Sequence, residues 1–395
     1  MTLRSWLLTT DHKRIAILYL VAMALFGASG GAAAGLLRLE LLAAPAFHVL
    51  VDFHGHVMVF LLLLPAIPAG LGYFVLPPMT GAPNVAFPRL ALLSWYLFVL
   101  AGAAFVRQFV SAEPDALAAQ LLAVLSLVLS ALNFIVTIHR RYADGLPTFA
   151  RALYVASFAG LAAAIAGMPG LAVAMVPAFG VIGEVIGEKA PSWLLAAIAG
   201  ATFVPWGSRL LLWELPPAVS FLALLALIPP AALVLRWLVA LVRRPPVRSA
   251  AQAHAWAFLG LAIASGCTSP LLAIPAANTH LAATQFETAH FHYIAGCVVM
   301  AFLAGLHHWW PQITGRRAAE GRGRTAALIL FTAWNLTFFP QFLLGYLGLP
   351  QRAHGHPALL EILNVASSLG AAALLAAFVL SAIGLLWPLF HDPRR

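Results

Sequence analysis

The stretch AHFHYIAGCVVMAFLAGLHHWW, residues 289–310, is the most informative part of the sequence about the fold. It contains no Asp, Glu, Lys or Arg, and it has the length of roughly 17–25 residues that an α-helix needs to cross a bilayer. Two histidines, His290 and His292, lie at its start. Ionisable residues are rare inside membrane helices and usually face a functional interior. The stretch therefore predicts a transmembrane helix with a functional site near one end.

The whole chain has the composition of a membrane protein. Of its 395 residues, 62% are hydrophobic and 9% are charged, whereas a soluble domain carries roughly 25% charged residues. The net charge of +9 comes from basic residues between the apolar runs, which form no stripe along a helix, so we expect no nucleic-acid partner. Cys267 and Cys297 both lie in apolar runs, so we expect neither a disulfide nor a cysteine metal site.

Apolar runs predict the spans of a helical bundle. They lie near 15–37, 54–76, 90–110, 117–138, 192–212, 218–242, 255–276, 289–310, 325–347 and 358–386. The stretch 146–188 holds one crossing or two. Two short crossings, near 149–166 and 171–187, place the loops that contain Arg243 and Arg316 on the same side as Lys13, as the positive-inside rule requires.

We therefore expect an all-α, polytopic transmembrane bundle of about twelve helices, with eleven possible, and a single domain over residues 1–395. Both termini are predicted to be cytoplasmic. Lys13 and Lys189 are the only lysines among 22 basic residues in an alanine-rich chain, which favours a GC-rich bacterial genome. The predicted location is therefore the bacterial inner (cytoplasmic) membrane, with the lipid bilayer as an obligatory partner.

Most of the fourteen histidines have ordinary explanations. His307 and His308 lie beside Trp309 and Trp310, in what has the pattern of an interfacial aromatic belt. His56 is explained by an interhelical hydrogen bond. His48 and His280 are predicted to lie in outer loops. Solvated or interfacial positions in loops or at helix ends are predicted for His12, His139, His254, His354, His356 and His391.

His54, His290 and His292 are different, because each lies at or just inside the outer end of a predicted span. His290 and His292 are two residues apart, hence about 200° apart around a helix axis, and cannot bind one metal ion from one face. They could each bind a different planar cofactor, and imidazole is a common ligand of haem iron. His54 lies at the same predicted depth and could supply a second ligand. An interhelical hydrogen bond remains the alternative for each histidine.

Longer motifs connect these histidines to a known family. They are Thr9–Arg14 (TTDHKR), Leu37–Glu40 (LRLE), His54–Met58 (HGHVM), Gly81–Arg89 (GAPNVAFPR), Ala289–Tyr293 (AHFHY), Asn335–Pro340 (NLTFFP) and Gly348–Arg352 (GLPQR). In this order and spacing the chain resembles subunit I of haem-copper oxidases along nearly its whole length.

The resemblance implies roles for single residues. His54 and His292 would be the axial ligands of a low-spin haem, and His290 would be the proximal ligand of a second, high-spin haem. Phe291 would contact the cofactor between them. Arg38 matches the arginine that contacts the formyl group in relatives with haem A. Arg352 would lie near the haem propionates, where the family's preceding arginine is replaced by Gln351.

The resemblance fails at the family's copper ion, which three histidines hold. No histidine lies between His139 and His254. One alignment places Met168, Gly170 and Ala172 where the family has the histidine, glutamate and tyrosine of a His-Pro-Glu-Val-Tyr motif, and another deletes the motif. Ser208 and Arg209 stand for the adjacent histidine pair. A divergent member that lacks the copper-B ligands, and hence copper, is predicted.

The family's proton paths are changed as well. The entrance aspartate of one path is Asn84, and the two asparagines that follow it are Ala91 and Leu92. The lysine of the other path is Leu233. Loss of the copper ligands and of both proton inputs together indicates a relaxed need for proton-coupled oxygen reduction.

These observations favour a membrane-embedded, haem-binding electron-transfer subunit of a respiratory-type complex, with one low-spin bis-histidine haem and a second haem. Its partners would be other membrane subunits and an electron donor or acceptor protein or a quinol. One alternative is a divergent terminal oxidase, for cytochrome c or quinol, or a nitric oxide reductase. The other is a scaffold subunit that haem stabilises. The haem type, a or b, and enzymatic activity stay open.

Overall fold

The computed structural model of the chain describes residues 2–39, 44–111, 116–141, 145–167, 171–204, 207, 216–243, 247–353 and 358–390. Over these ranges the chain is helical and forms no β-strand, and an isolated bridge pairs Thr284 with Pro350. The predicted all-α class is confirmed. The chain divides into two compact units, Met1–Gly180 and Val181–Arg395. The predicted single domain stays a prediction.

The first unit is built from long helices that pack on their neighbours in sequence. Helix α2 packs on α3 and α5, α5 packs on α6, and α6 packs on α7. The helices are α1 (Leu3–Leu7), α2 (His12–Arg38), α3 (Ala44–His56), α4 (Tyr73–Met79), α5 (Pro88–Ser111), α6 (Leu117–His139), α7 (Thr148–Ile165) and α8 (Leu171–Ile186), which runs past the end of the unit.

The chain between α3 and α4 stays helical but winds more widely. Two π-helical segments, Val57–Leu63 and Ala66–Gly72, lie on either side of Pro65. A proline inside a helix lacks the N–H that would continue the hydrogen-bond ladder, and π-helical turns are common at functional sites. With α3 and α4 these segments form one continuous span, Ala46–Met79, of 34 residues. The wide turns therefore begin directly after His54 and His56.

This span begins earlier than its predicted start at residue 54. His48, predicted in an outer loop, lies within α3, so that prediction is wrong. The apolar run APAFHVLV, residues 44–51, continues the helix through His48. His280, also predicted in a loop, lies in the short helix Pro275–Leu281, which Pro275 starts at its first position.

The second unit has its core in four long helices, α12, α14, α15 and α16. The helices of this unit are α9 (Ser192–Ala201), α10 (Pro216–Leu225), α11 (Ile228–Val242), α12 (Ala250–Ala273), α13 (Pro275–Leu281), α14 (Gln285–Thr314), α15 (Glu320–Tyr346) and α16 (Glu361–Phe390), with a 3₁₀ turn at Ala358–Leu360.

Helix α14 contains the uncharged stretch 289–310, and local signals set its ends. Thr284 is the N-cap, and its hydroxyl accepts a hydrogen bond from Phe286 N. Glu287 lies in the first turn, where a negative charge complements the helix dipole. Gly315 ends the helix in the left-handed conformation, with φ of 73°. These caps fix the position of His290 and His292 in the second turn of a 30-residue helix.

The transmembrane character of the bundle is confirmed. Ten helices in the described ranges are long and apolar enough to cross a membrane. The disputed stretch contains Thr148–Ile165, of 18 residues, followed by the shorter apolar helix Val173–Ile186. A second shorter apolar helix, Ser192–Ala201, covers part of the predicted span 192–212. The cytoplasmic placement of both termini stays a prediction.

Candidate functional site

His54 is held in the first unit by the backbone of α2. Its Nδ1–H donates to the carbonyl oxygen of Gly30 at 2.8 Å. A carbonyl can only accept, so the proton is on Nδ1 and the lone pair of the ring is on Nε2. Gly30 makes this approach possible, because a Cβ there would lie 2.8 Å from Met58 Sδ and 3.1 Å from Val57 Cγ1.

Arg38, the predicted formyl contact, is the last residue of α2. It is half-buried, and its charge acts electrostatically on His54. The structure thus places a cation near the predicted ligand within the first unit. Contact of Arg38 with a haem substituent stays a prediction.

His292 is held in the second unit by α14 and α15. Its Nδ1–H donates to Thr288 O at 2.7 Å, which again leaves the lone pair on Nε2. The ring stacks on Phe338, with 4.3 Å between ring centroids and 16° between planes. Trp334 Nε1 donates to the carbonyl oxygen of His292 at 3.0 Å. One face of the imidazole and its backbone are therefore both fixed by α15.

His290 faces a different helix. Its Nδ1 lies 2.9 Å from the hydroxyl of Thr268, on α12. The two histidines of α14 therefore lie on different sides of the helix, one toward α12 and the other toward α15, as their spacing predicts. Phe291, between them, is 37% exposed and meets the His292 ring edge-on at 5.7 Å. Its predicted contact with a cofactor stays a prediction.

Two motifs that are distant in the sequence meet beside His292. The hydroxyl of Tyr293 donates to Asn335 Oδ1 at 2.8 Å, and Asn335 Nδ2 donates to Phe331 O at 2.8 Å. Phe338, which stacks on His292, belongs to the same segment as Asn335. The AHFHY and NLTFFP motifs thus form one packed unit around the imidazole.

The GLPQR segment, residues 348–352, is held against the N-terminal end of α14. Gln285 N donates to Leu349 O at 2.9 Å, and Gln351 N donates to Ala283 O at 2.8 Å. These bonds bring the segment to the end of the helix that carries His290 and His292. Arg352 is exposed at this end. Its predicted place near haem propionates stays a prediction.

The positions predicted to have lost the copper ligands lie outside the described residues. This holds for Met168, Gly170, Ser208 and Arg209, and for the side chain of Ala172. Over the part of the chain that the structure describes, no group of three or more His, Cys, Asp or Glu side chains could hold a metal ion. The absence of histidine between His139 and His254 remains the observation that bears on copper.

The residues at the altered proton-path positions have structural roles or apolar surroundings. Asn84 Nδ2 donates to Thr10 O at 2.9 Å, and Asn84 Oδ1 accepts from Val85 N at 2.8 Å, so its amide braces a loop. Ala91 and Leu92 are buried in the first unit, and Leu233 is fully buried in the second.

A buried hydroxyl network in the first unit escaped the sequence analysis. The hydroxyl of Tyr19 donates to Ser94 Oγ at 2.9 Å, and that of Tyr73 donates to Ser130 Oγ at 3.0 Å. Ser126 Oγ donates to Ser94 O at 2.7 Å. Tyr19, Tyr73 and Ser94 each stand alone in an apolar segment and form no sequence pattern. For Ser126 and Ser130, both on α6, the i, i+4 spacing is the available signal.

A buried histidine pair in the second unit was also missed. His254 and His307 stack with 5.2 Å between ring centroids. His254 Nδ1–H donates to Ala250 O, whereas its Nε2 and both nitrogens of His307 have no partner within the described structure. The predicted solvated or interfacial positions are wrong for these two residues. The pair lies between α12, α14 and α15. Helix α15 approaches it so closely that a Cβ on Gly323 would lie 2.6 Å from His307 Cε1.

Comparison with known proteins assigns most of the chain to the family that its motifs resemble. The family model described as cytochrome c and quinol oxidase polypeptide I matches residues 14–183 and 169–373. Cytochrome c oxidase subunit 1 of Bacillus subtilis (strain 168) is 29% identical, over 97% of this chain and 75% of its own length. Cytochrome c oxidase subunit 1 of Synechocystis sp. is 28% identical, over 97% of this chain and 85% of its own length.

A solved structure shares the fold. A subunit of a heme-copper terminal oxidase dimer superposes with a TM-score of 0.75 and 12% sequence identity. The match covers 97% of this chain and 85% of that subunit chain. At this identity the similarity is one of fold.

Proposed function

Since the chain belongs to the cytochrome c and quinol oxidase polypeptide I family, we propose that it is the haem-binding electron-transfer subunit of a bacterial respiratory membrane complex. Members of this family are multi-pass membrane proteins that bind haem and work with other subunits in oxidoreductase complexes. In this chain His54 and His292 bind a low-spin haem, His290 binds a second haem, and no copper-B site remains.

One observation carries the haem assignment. His54 and His292 each donate Nδ1–H to a backbone carbonyl, so the lone pair of each ring is on Nε2. A neutral imidazole with its second nitrogen hydrogen-bonded to the protein is the arrangement that metal-binding histidines adopt. Each of the two rings, taken by itself, therefore has the tautomer that an axial ligand of haem iron requires.

The side chains around these ligands contribute orientation and exclusion of water. Phe338 covers one face of the His292 ring, and Trp334 holds the backbone of the same residue. Gly30 brings α2 within hydrogen-bonding distance of His54. A bound haem supplies one-electron chemistry. Both ligands would be held on helices, which position side chains more precisely than loops do.

The absence of copper is proposed from the sequence. No histidine occurs between His139 and His254. The resemblance to the family implies that Arg209 stands at a position of the adjacent histidine pair. An arginine is always protonated, so it repels a copper ion. A methionine at residue 168 alone cannot form a stable site. Electrons would then leave the chain toward another redox centre.

The purified protein is expected to contain two haems per chain and no copper. Pyridine haemochrome spectra measure the haem content, and metal analysis measures copper. His54→Ala should remove the low-spin signal from the reduced-minus-oxidised spectrum, because it removes one of two axial ligands. His48→Ala, at an exposed position of the same helix α3, should retain both haems.

Other results would select the alternatives. Stoichiometric copper, or fast turnover of oxygen or nitric oxide, would identify a divergent terminal oxidase or a nitric oxide reductase. A purified protein without haem would leave the scaffold role.

A further inference from the structure

We propose that Thr268 is a positioning residue for His290: its hydroxyl accepts the Nδ1–H of the imidazole and sets the donor strength of Nε2 toward the second haem iron. This inference rests on the proposed function, since it concerns the haem that His290 would bind. It differs from that function in assigning a role to a residue on another helix.

The direction of the Thr268–His290 hydrogen bond follows from the other contacts of the hydroxyl. Thr268 Oγ1 lies 3.1 Å from Ala264 O and 3.0 Å from Ser265 O, and both carbonyls can only accept. The hydroxyl proton is therefore directed back onto α12. The oxygen lone pairs are directed to His290 Nδ1 at 2.9 Å, so this nitrogen is the donor.

This direction decides which nitrogen can bind a metal. With the proton on Nδ1, the lone pair of His290 lies on Nε2, as in His54 and His292. If the threonine donated instead, Nε2 would carry the proton and could not bind iron. Thr268 thus selects the ligating tautomer of His290.

His290 differs from the other two ligands in the chemistry of its support. His54 and His292 donate to backbone carbonyls, of Gly30 and Thr288, which no substitution removes. His290 donates to a side chain, which one substitution can remove. A hydrogen bond from the second ring nitrogen raises the basicity of a metal-binding imidazole, and a more basic ligand favours the ferric state. Thr268 would therefore lower the midpoint potential of the second haem.

The test replaces the hydroxyl by a methyl group of similar volume. Thr268→Val should shift the Fe–His stretching band of the reduced high-spin haem to lower frequency and raise its midpoint potential. The low-spin haem should be unchanged. Thr268→Ser, which keeps the hydroxyl, should restore both values.

Ser269→Ala is the matched control. Ser269 is the next residue of α12, and its hydroxyl donates to Ser265 O at 2.8 Å, so this variant removes a hydroxyl hydrogen bond from the same helix turn and keeps Thr268. This variant should leave both haems as in the unmodified protein.

The outcomes separate the inference from the proposed function. Unchanged Raman and redox values in Thr268→Val would overturn the inference while the proposed function stands. Equal changes in both haems, or in Thr268→Val and Thr268→Ser alike, would assign the residue a merely structural role and also overturn it. An unmodified protein with no high-spin haem would overturn the second-haem assignment, and the inference with it.

Discussion

At the scale of single residues, the three predicted ligands share one chemical feature and differ in what supplies it. Each imidazole donates its Nδ1–H to an oxygen atom. For His54 the acceptor is the carbonyl of Gly30 on α2, and for His290 it is the hydroxyl of Thr268 on α12. For His292 it is the carbonyl of Thr288, one turn earlier on α14. The preferred tautomer of a neutral histidine is otherwise undetermined. The contacts with the surrounding helices therefore leave the lone pair of each ring on Nε2.

Ala283 shows backbone strain next to this site. Its φ is 58°, in the left-handed region, and it is the only non-glycine residue with positive φ in the described ranges. Its N–H donates to Glu287 Oε2 at 3.0 Å, and its carbonyl accepts from Gln351 N at 2.8 Å. Bonds on both sides hold the residue in a conformation that costs an L-residue roughly 1–2 kcal/mol.

Ala283→Gly is therefore expected to raise the free energy of unfolding by about 1 kcal/mol, because glycine adopts positive φ without a Cβ penalty. The measurement is thermal unfolding in detergent. Ala282→Gly is the control: the neighbouring residue has φ of −63°, so glycine there should lower stability slightly. A lower stability of Ala283→Gly than of Ala282→Gly would contradict the assigned strain.

At the scale of helices, α14 organises the second unit. Its start is held by the GLPQR segment, its second turn carries His290 and His292, and α12 and α15 each fix one of these histidines. The sequence predicts helix α14 and identifies both histidines as candidate ligands, because an uncharged apolar run with two imidazoles lies in one short segment. The neighbours of each histidine were not predictable, because packing between helices depends on side-chain fit along whole elements.

Gly345 tests how closely α15 must approach the start of α14. A Cβ on Gly345 would overlap the backbone N of Phe286 and would lie 2.6 Å from its Cα. Gly345→Ala is expected to destabilise the protein by about 1–3 kcal/mol, the usual cost of overpacking. It should also lower haem content, since α14 would shift together with His290 and His292. Thermal unfolding and the haem-to-protein ratio measure these effects.

Gly321→Ala is the control for this substitution. Gly321 lies on the same helix, and a Cβ there would meet nothing within 4 Å. Alanine should be neutral or stabilising at that position, because it has the higher helix propensity. Equal effects of the two substitutions would rule out close packing at Gly345 as their cause.

At the scale of the whole molecule, hydrophobic length and charge predict the topology. Nine of the ten predicted spans coincide with long apolar helices in the described ranges, whereas the span 192–212 is matched there only by the shorter helix Ser192–Ala201. The tenth long helix, Thr148–Ile165, lies in the disputed stretch. The eleven-helix and twelve-helix alternatives place the Arg316 loop on opposite sides of the membrane. The shorter helix Val173–Ile186 after Thr148–Ile165 agrees with two crossings in the disputed stretch.

Cysteine labelling tests this topology. In a Cys267→Ser, Cys297→Ala background, a membrane-impermeant maleimide should label Ala282→Cys in intact spheroplasts. Arg317→Cys, an exposed position beyond the other end of α14, should be labelled only after lysis. Labelling of Arg317→Cys in intact spheroplasts would contradict cytoplasmic placement of this loop and support the eleven-helix alternative.

The sequence is enough to predict the transmembrane helical class, the family motifs and the three candidate ligands, because hydrophobic runs and rare intramembrane histidines are local features. Three contacts are visible only in the packed helices: Thr268 faces His290, Phe338 covers His292, and His254 and His307 form a buried pair. These contacts join residues on different helices. Whether a histidine is solvated, buried or held as a ligand depends on the helices packed around it, and that information is not contained in any single segment.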